Sequence, residues 1–170
     1  MRRLALALLF LSASSVTMIG CAPFPTSPGY ETQPDQVAKR ETAEALSKYV
    51  VLVRRQDSTL IADLFAVGGR MQHAGEKPIQ GRAEIKRFLD SFSNYKVLSH
   101  DMTVLSVSPA ATHVSQSGTY VQLVKTPEGN SVTVRGWFVV QWLRQAPGVW
   151  LIELAKTSSS PMGSAGDSGA

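Results

Sequence analysis

Cys21, three histidines and a few tyrosines are the side chains of this chain with chemistry beyond packing. Cys21 is the only cysteine, so an intrachain disulfide is excluded and its thiol is left as a nucleophile. His73 could act as a base near neutral pH without special burial. With His100 and His113 it falls on three separate predicted strands, a distribution that invites a metal. No two-histidine helical motif is present, however, and no carboxylate stands at a diagnostic spacing, so neither a metal nor a cofactor is expected. The nucleophile pattern Gly-x-Ser-x-Gly is absent and the glycines form no phosphate loop, which removes the common hydrolase and nucleotide signals.

The surroundings of Cys21 give its thiol a use. Met1-Arg2-Arg3 is a short positive region, and Leu4 to Leu11 is an apolar run of export-signal length, too short to span a bilayer as a helix. Val16-Thr17-Met18-Ile19-Gly20-Cys21 follows, with a small residue before the cysteine and an apolar one three before it. This resembles a lipobox, with Met18 where Leu is usual, and implies a signal peptide over 1–20 and a lipid on Cys21. The expected location is the cell envelope, lipid-anchored and facing the periplasm or the outside. Ala22 lacks the Asp that marks inner-membrane retention in enteric-type bacteria, so an outer membrane is expected if there is one. The charge excludes a nucleic-acid footprint: 17 basic residues face 13 acidic ones, and two of the basic ones belong to the export segment. Arg54-Arg55, the longest basic cluster of the domain, ends a predicted helix, where cations suit the dipole.

The elements that must position the candidates follow from periodicity. Residues 21–34 hold Pro23, Pro25, Pro28 and Pro34 and read as a semi-extended tether. Residues 35–157 form one domain, and 158–170, rich in Ser, Gly and Ala, read as a disordered tail. A first helix is predicted from Pro34 to Gln56, with Ala38, Ala45, Tyr49, Leu52 and Val53 on one stripe. Asp57-Ser58 caps a short second helix over 59–65, which Gly68-Gly69 breaks, and a short strand follows over 70–74. Gly81 opens a third helix carrying Ile85, Phe88, Leu89 and Phe92. Alternation then predicts four long strands over 97–107, 112–124, 131–143 and 149–156, joined by tight turns and hence antiparallel. Helices first and strands afterwards define an α+β fold, a curved antiparallel sheet wrapped around about three N-terminal helices.

Within that frame Tyr49 is either a core aromatic or a pocket wall. His73 shares a strand face with Met71 and is either a surface or a pocket histidine. Gln116, Tyr120 and Gln122 share a face that supplies polar groups to a cavity or lies in solvent. His100 alternates with Leu98, Met102 and Val104. Trp137, Trp142 and Trp150 are divided between the two faces of the pleat, and an apolar outer face suggests dimerisation through the sheet or partner docking.

The pieces Tyr49-Val50-Val51-Leu52-Val53, Asp57, Leu64-Phe65-Ala66, Pro78-Ile79-Gln80-Gly81-Arg82-Ala83-Glu84-Ile85, Gly136-Trp137-Phe138 with Trp142, and Gly148 with Trp150 resemble the nuclear-transport-factor-2-like superfamily. That superfamily includes ketosteroid isomerases and SnoaL-like polyketide cyclases. The resemblance implies a cone-shaped domain with a pocket between sheet and helices. It also places Tyr49 at the oxyanion-donating tyrosine of the isomerases and His73 at their carboxylate base. Val140 falls where they carry a protonated acid, so a second oxyanion donor is missing there. Since one such donor can be worth two or three powers of ten in rate, the pocket reads as one that binds rather than reacts. Tyr49, His73, Tyr120, Gln122 and Val140 are the expected lining. The expected function is a non-catalytic, membrane-tethered pocket domain for a small apolar ligand or an envelope protein. The alternatives are a carbonyl isomerase or cyclase using His73 and Tyr49, and a purely structural dimerisation module.

Overall fold

The computed structural model describes residues 33–160, and Cys21, the export segment, the tether up to residue 32 and residues 161–170 lie outside the described residues. The elements run α1 (Gln33–Arg55), α2 (Ser58–Asp63), β1 (Phe65–His73), β2 (Ile79–Gln80), α3 (Arg82–Asp90), β3 (Lys96–Pro109), β4 (His113–Lys125), β5 (Ser131–Ala146) and β6 (Val149–Ser160). One curved sheet holds all six strands in the order β2-β1-β6-β5-β4-β3. The four long strands pair antiparallel through short turns, while β1 returns to lie parallel to β6.

Each helix begins and ends for a local reason. Three- and four-residue spacing on α1 buries Ala38, Thr42, Leu46 and Leu52, and Arg54 and Arg55 occupy its last turn. The Asp57 carboxylate accepts the Leu60 amide and starts α2. Gly81 precedes α3 at φ 85°, a conformation that disfavours any side chain.

Sequence periodicity misplaced four details. The second helix stops at Asp63, and Gly68-Gly69 lie inside β1 instead of ending a helix. Phe65, wholly buried, is drawn into the sheet opposite Ile152, and the register slips between Phe65 and Arg70. Gly69 sits in that slip, where a Cβ would press on the Ile152 carbonyl. The two-residue strand β2 pairs Ile79 with Met71 and was too short to show a period. In β3 a bulge between Val97 and Ser99 reverses the alternation, so Leu98 faces out while Val97 turns inward. Finally, residues 158–160 are not tail: Ser158, Ser159 and Ser160 pair with Trp137, Gly136 and Arg135. A backbone ladder on a partnered strand does not require apolar side chains.

The core gathers between the helices and the sheet, and takes Ala38, Leu46 and Leu52 from α1. Trp142, Phe65 and Ile85 are fully buried there, with Ile152 and Val114 nearly so. Several polar side chains of this region bond one another, although the buried Arg144 Nε has no partner among the described residues. Trp142 Nε1 donates to Gln116 Oε1 at 2.9 Å, Gln116 Nε2 to Thr42 Oγ1 at 3.2 Å, and Thr42 Oγ1 to the Ala38 carbonyl at 2.8 Å. Trp150 Nε1 donates to Glu41 at 2.7 Å, and Arg144 lies over the Trp150 ring. Every residue of the core cluster lies between Ala38 and Ala155, within the compact unit that starts at residue 31.

Curvature depends on two inward-facing glycines. A Cβ at Gly118 would collide with the Thr103 carbonyl oxygen, and one at Gly136 with that of Ser158. The Tyr120 and Phe138 rings lie close over Gly136 and Gly118 respectively. Gly136→Ala is expected to lose about 3 kcal/mol in urea unfolding, the range of backbone-strain and overpacking substitutions. Gly68→Ala, with nothing within 4 Å of its new Cβ, should stay within about 0.5 kcal/mol. Equal effects would show that close strand approach at Gly136 does not limit the fold.

Candidate functional site

Beyond the filled end of the cone the helices stop short of the sheet. A chamber of about 600 Å³ lies between the C-terminal half of α1, α2, α3 and the concave side of β1 and β3 to β6. Val53 and Ile61 wall it from the helices, Phe88 and Leu89 from α3, and Met71, Met102 and Val134 from the strands. Its volume falls in the range of small-molecule sites, about 300–1,000 Å³. Among the described residues lining it, Glu76 is the only one with a formal charge at neutral pH, and it sits exposed.

Three polar rings meet in this apolar space. His100 on β3 is only 6% exposed, and both of its ring nitrogens lack a hydrogen-bond partner. Its ring centroid lies 6.4 Å from that of Tyr49 on α1 and 6.2 Å from that of Tyr120 on β4. Register explains the meeting: Met102 pairs with Tyr120 and His100 with Gln122, so all four point to the same side of the sheet. Arg54, at the end of α1, donates from Nε to the His100 carbonyl at 2.9 Å and pairs with Asp101 at 2.6 Å. That clamp fixes the helix against the strand that carries His100.

Burial sets the protonation of the three. It depresses the His100 imidazole to about 4, with Arg54 acting in the same direction and Asp101 opposing. Burial, reinforced by the nearby Tyr120, pushes the Tyr49 phenol up to about 12, and burial alone raises Tyr120. At neutral pH the cluster is a neutral imidazole between two neutral phenols. It can donate and accept hydrogen bonds but carries no charge.

His73 also lines the chamber, from β1, but both of its nitrogens face hydroxyls of β6: Nδ1 is 3.1 Å from Thr157 Oγ1 and Nε2 is 3.4 Å from Ser159 Oγ. Tyr49, Tyr120 and Gln122 line the chamber with it. Val140 does not. It is 4% exposed, belongs to the core, and borders only a hollow of about 20 Å³ beneath Tyr49. On the same face of the sheet as Tyr120, residue 140 stands opposite Gln116, further along β4, and so falls on the filled side. Gln116 itself belongs to the core chain with Thr42 and Trp142. His100, considered from sequence only for a metal, is the group this cluster centres on; its alternation with Met102 was the available signal. His113 lies apart, exposed and near Glu153. Among the described residues no three His, Cys, Asp or Glu side chains gather as a metal site.

A bent sheet closed at one end by α1 and hollow at the other, with buried polar rings in the hollow, defines an α+β pocket domain. The chain belongs to the SnoaL-like domain family, whose model matches residues 37–156, within the nuclear-transport-factor-2-like group. Solved structures of the same fold include a ketosteroid isomerase-like protein from Erwinia carotovora atroseptica, at 15% identity and a TM-score of 0.64 over 76% of this chain and 99% of that one. An NTF2-like protein with a cystatin-like fold from Novosphingobium aromaticivorans matches at 16% identity and a TM-score of 0.61, over 81% and 95%. A Catenulispora acidiphila protein solved in complex with S-DNPA matches at 18% and 0.63, over 73% and 94%. Among curated proteins none matches.

The depressed His100 pKa has a consequence for stability. An imidazole near 4 when folded, against about 6.5 when unfolded, binds its proton more readily in the unfolded chain. Its linkage therefore leaves stability full above about pH 6.5, erodes it as pH falls through that window, and levels off below about 4, by at most about 3 kcal/mol. His100→Phe should gain on the wild type progressively over that range in urea unfolding. A constant difference across pH would show that His100 is not buried neutral.

Proposed function

We propose that this domain binds a small, mostly apolar ligand in the chamber without transforming it, and that a lipid on Cys21 holds it to a membrane of the cell envelope. The chamber carries the proposal: about 600 Å³ with a mostly apolar wall drawn from three helices and six strands, and a buried cluster of His100, Tyr49 and Tyr120 in that wall. Such a surface is costly to leave facing water and is relieved by an apolar occupant. Two observations favour holding over turnover. His73 already has a hydroxyl beside each nitrogen, and Val140 offers no donor at the position where the resembling isomerases carry an acid.

A second reading rests on Tyr49 and His73 lining one chamber. In it the domain is an isomerase- or cyclase-like enzyme, His73 removing a proton beside a carbonyl while Tyr49 donates to the developing oxyanion. His73→Ala separates the two. Holding requires that this variant bind ligand as well as the wild type does; loss of turnover on a carbonyl substrate, with binding kept, would instead support the enzyme.

The outer face of the sheet supports a third use, docking of a second copy. Trp137 is 55% exposed there and pairs with Thr119, beside the half-exposed Val121. Trp137→Glu should shift a dimer to monomer in sedimentation analysis, and an unchanged mass would remove this face from assembly.

Native mass spectrometry of gently purified protein tests the leading proposal. The expected spectrum carries an additional small-molecule mass that is lost on unfolding. A bare chain mass, together with no uptake of apolar probes, would contradict it. For the anchor, mass spectrometry of the membrane fraction should find a diacylglyceryl adduct on Cys21, absent from Cys21→Ser; an unmodified soluble mature form would refute lipidation.

A further inference from the structure

We infer that the rim of the chamber docks on an anionic lipid surface, with Phe92 and Tyr95 entering the interface and Lys96 and Lys125 meeting the headgroups. This rests on the binding proposal above and adds the phase from which the apolar ligand enters. The rim consists of the lining residues that are also exposed: Gln56, Glu76, Phe92, Tyr95 and Val132. Phe92 is 46% exposed and Tyr95 39%. Their rings meet edge to face at 6.0 Å, and Phe88 stands behind Phe92 at 5.1 Å, so a row of rings runs from the chamber wall out to water. The segment that carries them is held in place. The Phe92 and Tyr95 amides close turns onto the Leu89 and Phe92 carbonyls. From the end of α1, Gln56 Nε2 donates to the Tyr95 carbonyl at 2.7 Å, and its Oε1 accepts the Val97 amide at 3.1 Å. Gln56 itself stands at φ 54°, alone among the described non-glycine residues in being positive, a backbone that residues with a side chain seldom adopt. Aromatic rings fixed at a solvated edge suit the boundary between headgroups and hydrocarbon, where tyrosine is enriched.

The charges around the rim decide what it meets. Val97, Val124 and Val132 lie side by side across β3, β4 and β5 and line the chamber. One step further out, the ladder sets Lys96 directly opposite Lys125. Like charges in that position repel, and neither lysine has an acid within ion-pair distance among the described residues. Arg55, next to Gln56, and Lys77, next to Glu76, are exposed and unpaired as well. Cations set back from the rim are treated differently: Lys86 pairs with Asp90, and Arg54 with Asp101. The Asp57 carboxylate is taken by the Leu60 amide. Only the exposed Glu76 and Glu128 stand against the four free cations. An anionic bilayer supplies the missing counter-charge and, beneath it, the hydrocarbon in which apolar ligands dissolve. Lysine stems can lie along such a surface with their ammonium groups at the headgroups while the rings sit deeper.

The test uses the chain from residue 31 onward, which contains the whole core and lacks Cys21, so no attached lipid can hold it to a vesicle. Cosedimentation in about 0.1 M salt compares vesicles of equal phosphatidylglycerol and phosphatidylcholine with vesicles of phosphatidylcholine alone. Binding to the anionic vesicles should be about tenfold tighter or more. Lys96→Gln with Lys125→Gln, both at exposed positions, should weaken it about tenfold, and Tyr95→Ser about fivefold. Arg135→Gln with Lys156→Gln removes the same charge from exposed positions of β5 and β6 and should bind as the wild type does. Equal losses in the two double variants would overturn the rim as the docking surface, and so would equal binding to both kinds of vesicle. A dimer in vesicle-free solution that Tyr95→Ser dissolves would also overturn it, by giving the rim to a second copy. Pyrene uptake from water, followed by fluorescence on the same samples, reads the chamber separately. Uptake without vesicle docking overturns this inference and leaves the pocket proposal standing. Docking without uptake overturns the pocket proposal, and with it the claim that the rim admits a ligand.

Discussion

At Gly118 and Gly136 the central strands approach so closely that a Cβ would strike the neighbouring strand's carbonyl oxygen. The bulge between Val104 and Ser106 lies beside Gly118 and adds to the bend. This local constraint produces the hollow. A flatter sheet would let α1 lie against it along its whole length. A bent one buries Ala38, Leu46 and Leu52 of α1 in the core and leaves space beside Tyr49 and Val53. The Arg54 clamp on the His100 carbonyl and Asp101 then fixes the far end of the helix without filling the space.

Polar side chains are buried at both ends of the cone. At the filled end Trp142, Gln116 and Thr42 complete one another's bonds and tie helix to sheet. At the hollow end His100 is buried with its nitrogens unpaired between two unbonded phenols. An unpaired buried group costs about 1–3 kcal/mol, a penalty that selection for stability alone would remove with a phenylalanine.

The architecture was legible because the sequence patterns are long. Alternation over a dozen residues located all four main strands, and the Ile85, Phe88 and Leu89 spacing located α3. Short or irregular features were not legible. The bulge at Val97 reverses a face without any compositional mark, and Ser158 and Ser159 look like linker until β5 pairs with them. The same contrast holds for the site. Tyr49, His73, Tyr120 and Gln122 line one chamber, whereas Val140 lies in the core, because the place of a residue one strand away depends on curvature. His100 could be placed on a strand from sequence, but its isolation from every partner is a property of three elements at once.

What everything turns on is whether apolar matter enters the hollow between helices and sheet. Methyl NMR with unlabelled pyrene as a ring-current source addresses this most directly. The expected result is large shifts for methyls of Val53, Ile61, Met71 and Met102 in the chamber, and none for Val67, Leu105 and Val121 on the exposed surface. Shifts confined to the exposed set, with the chamber methyls silent, would contradict it.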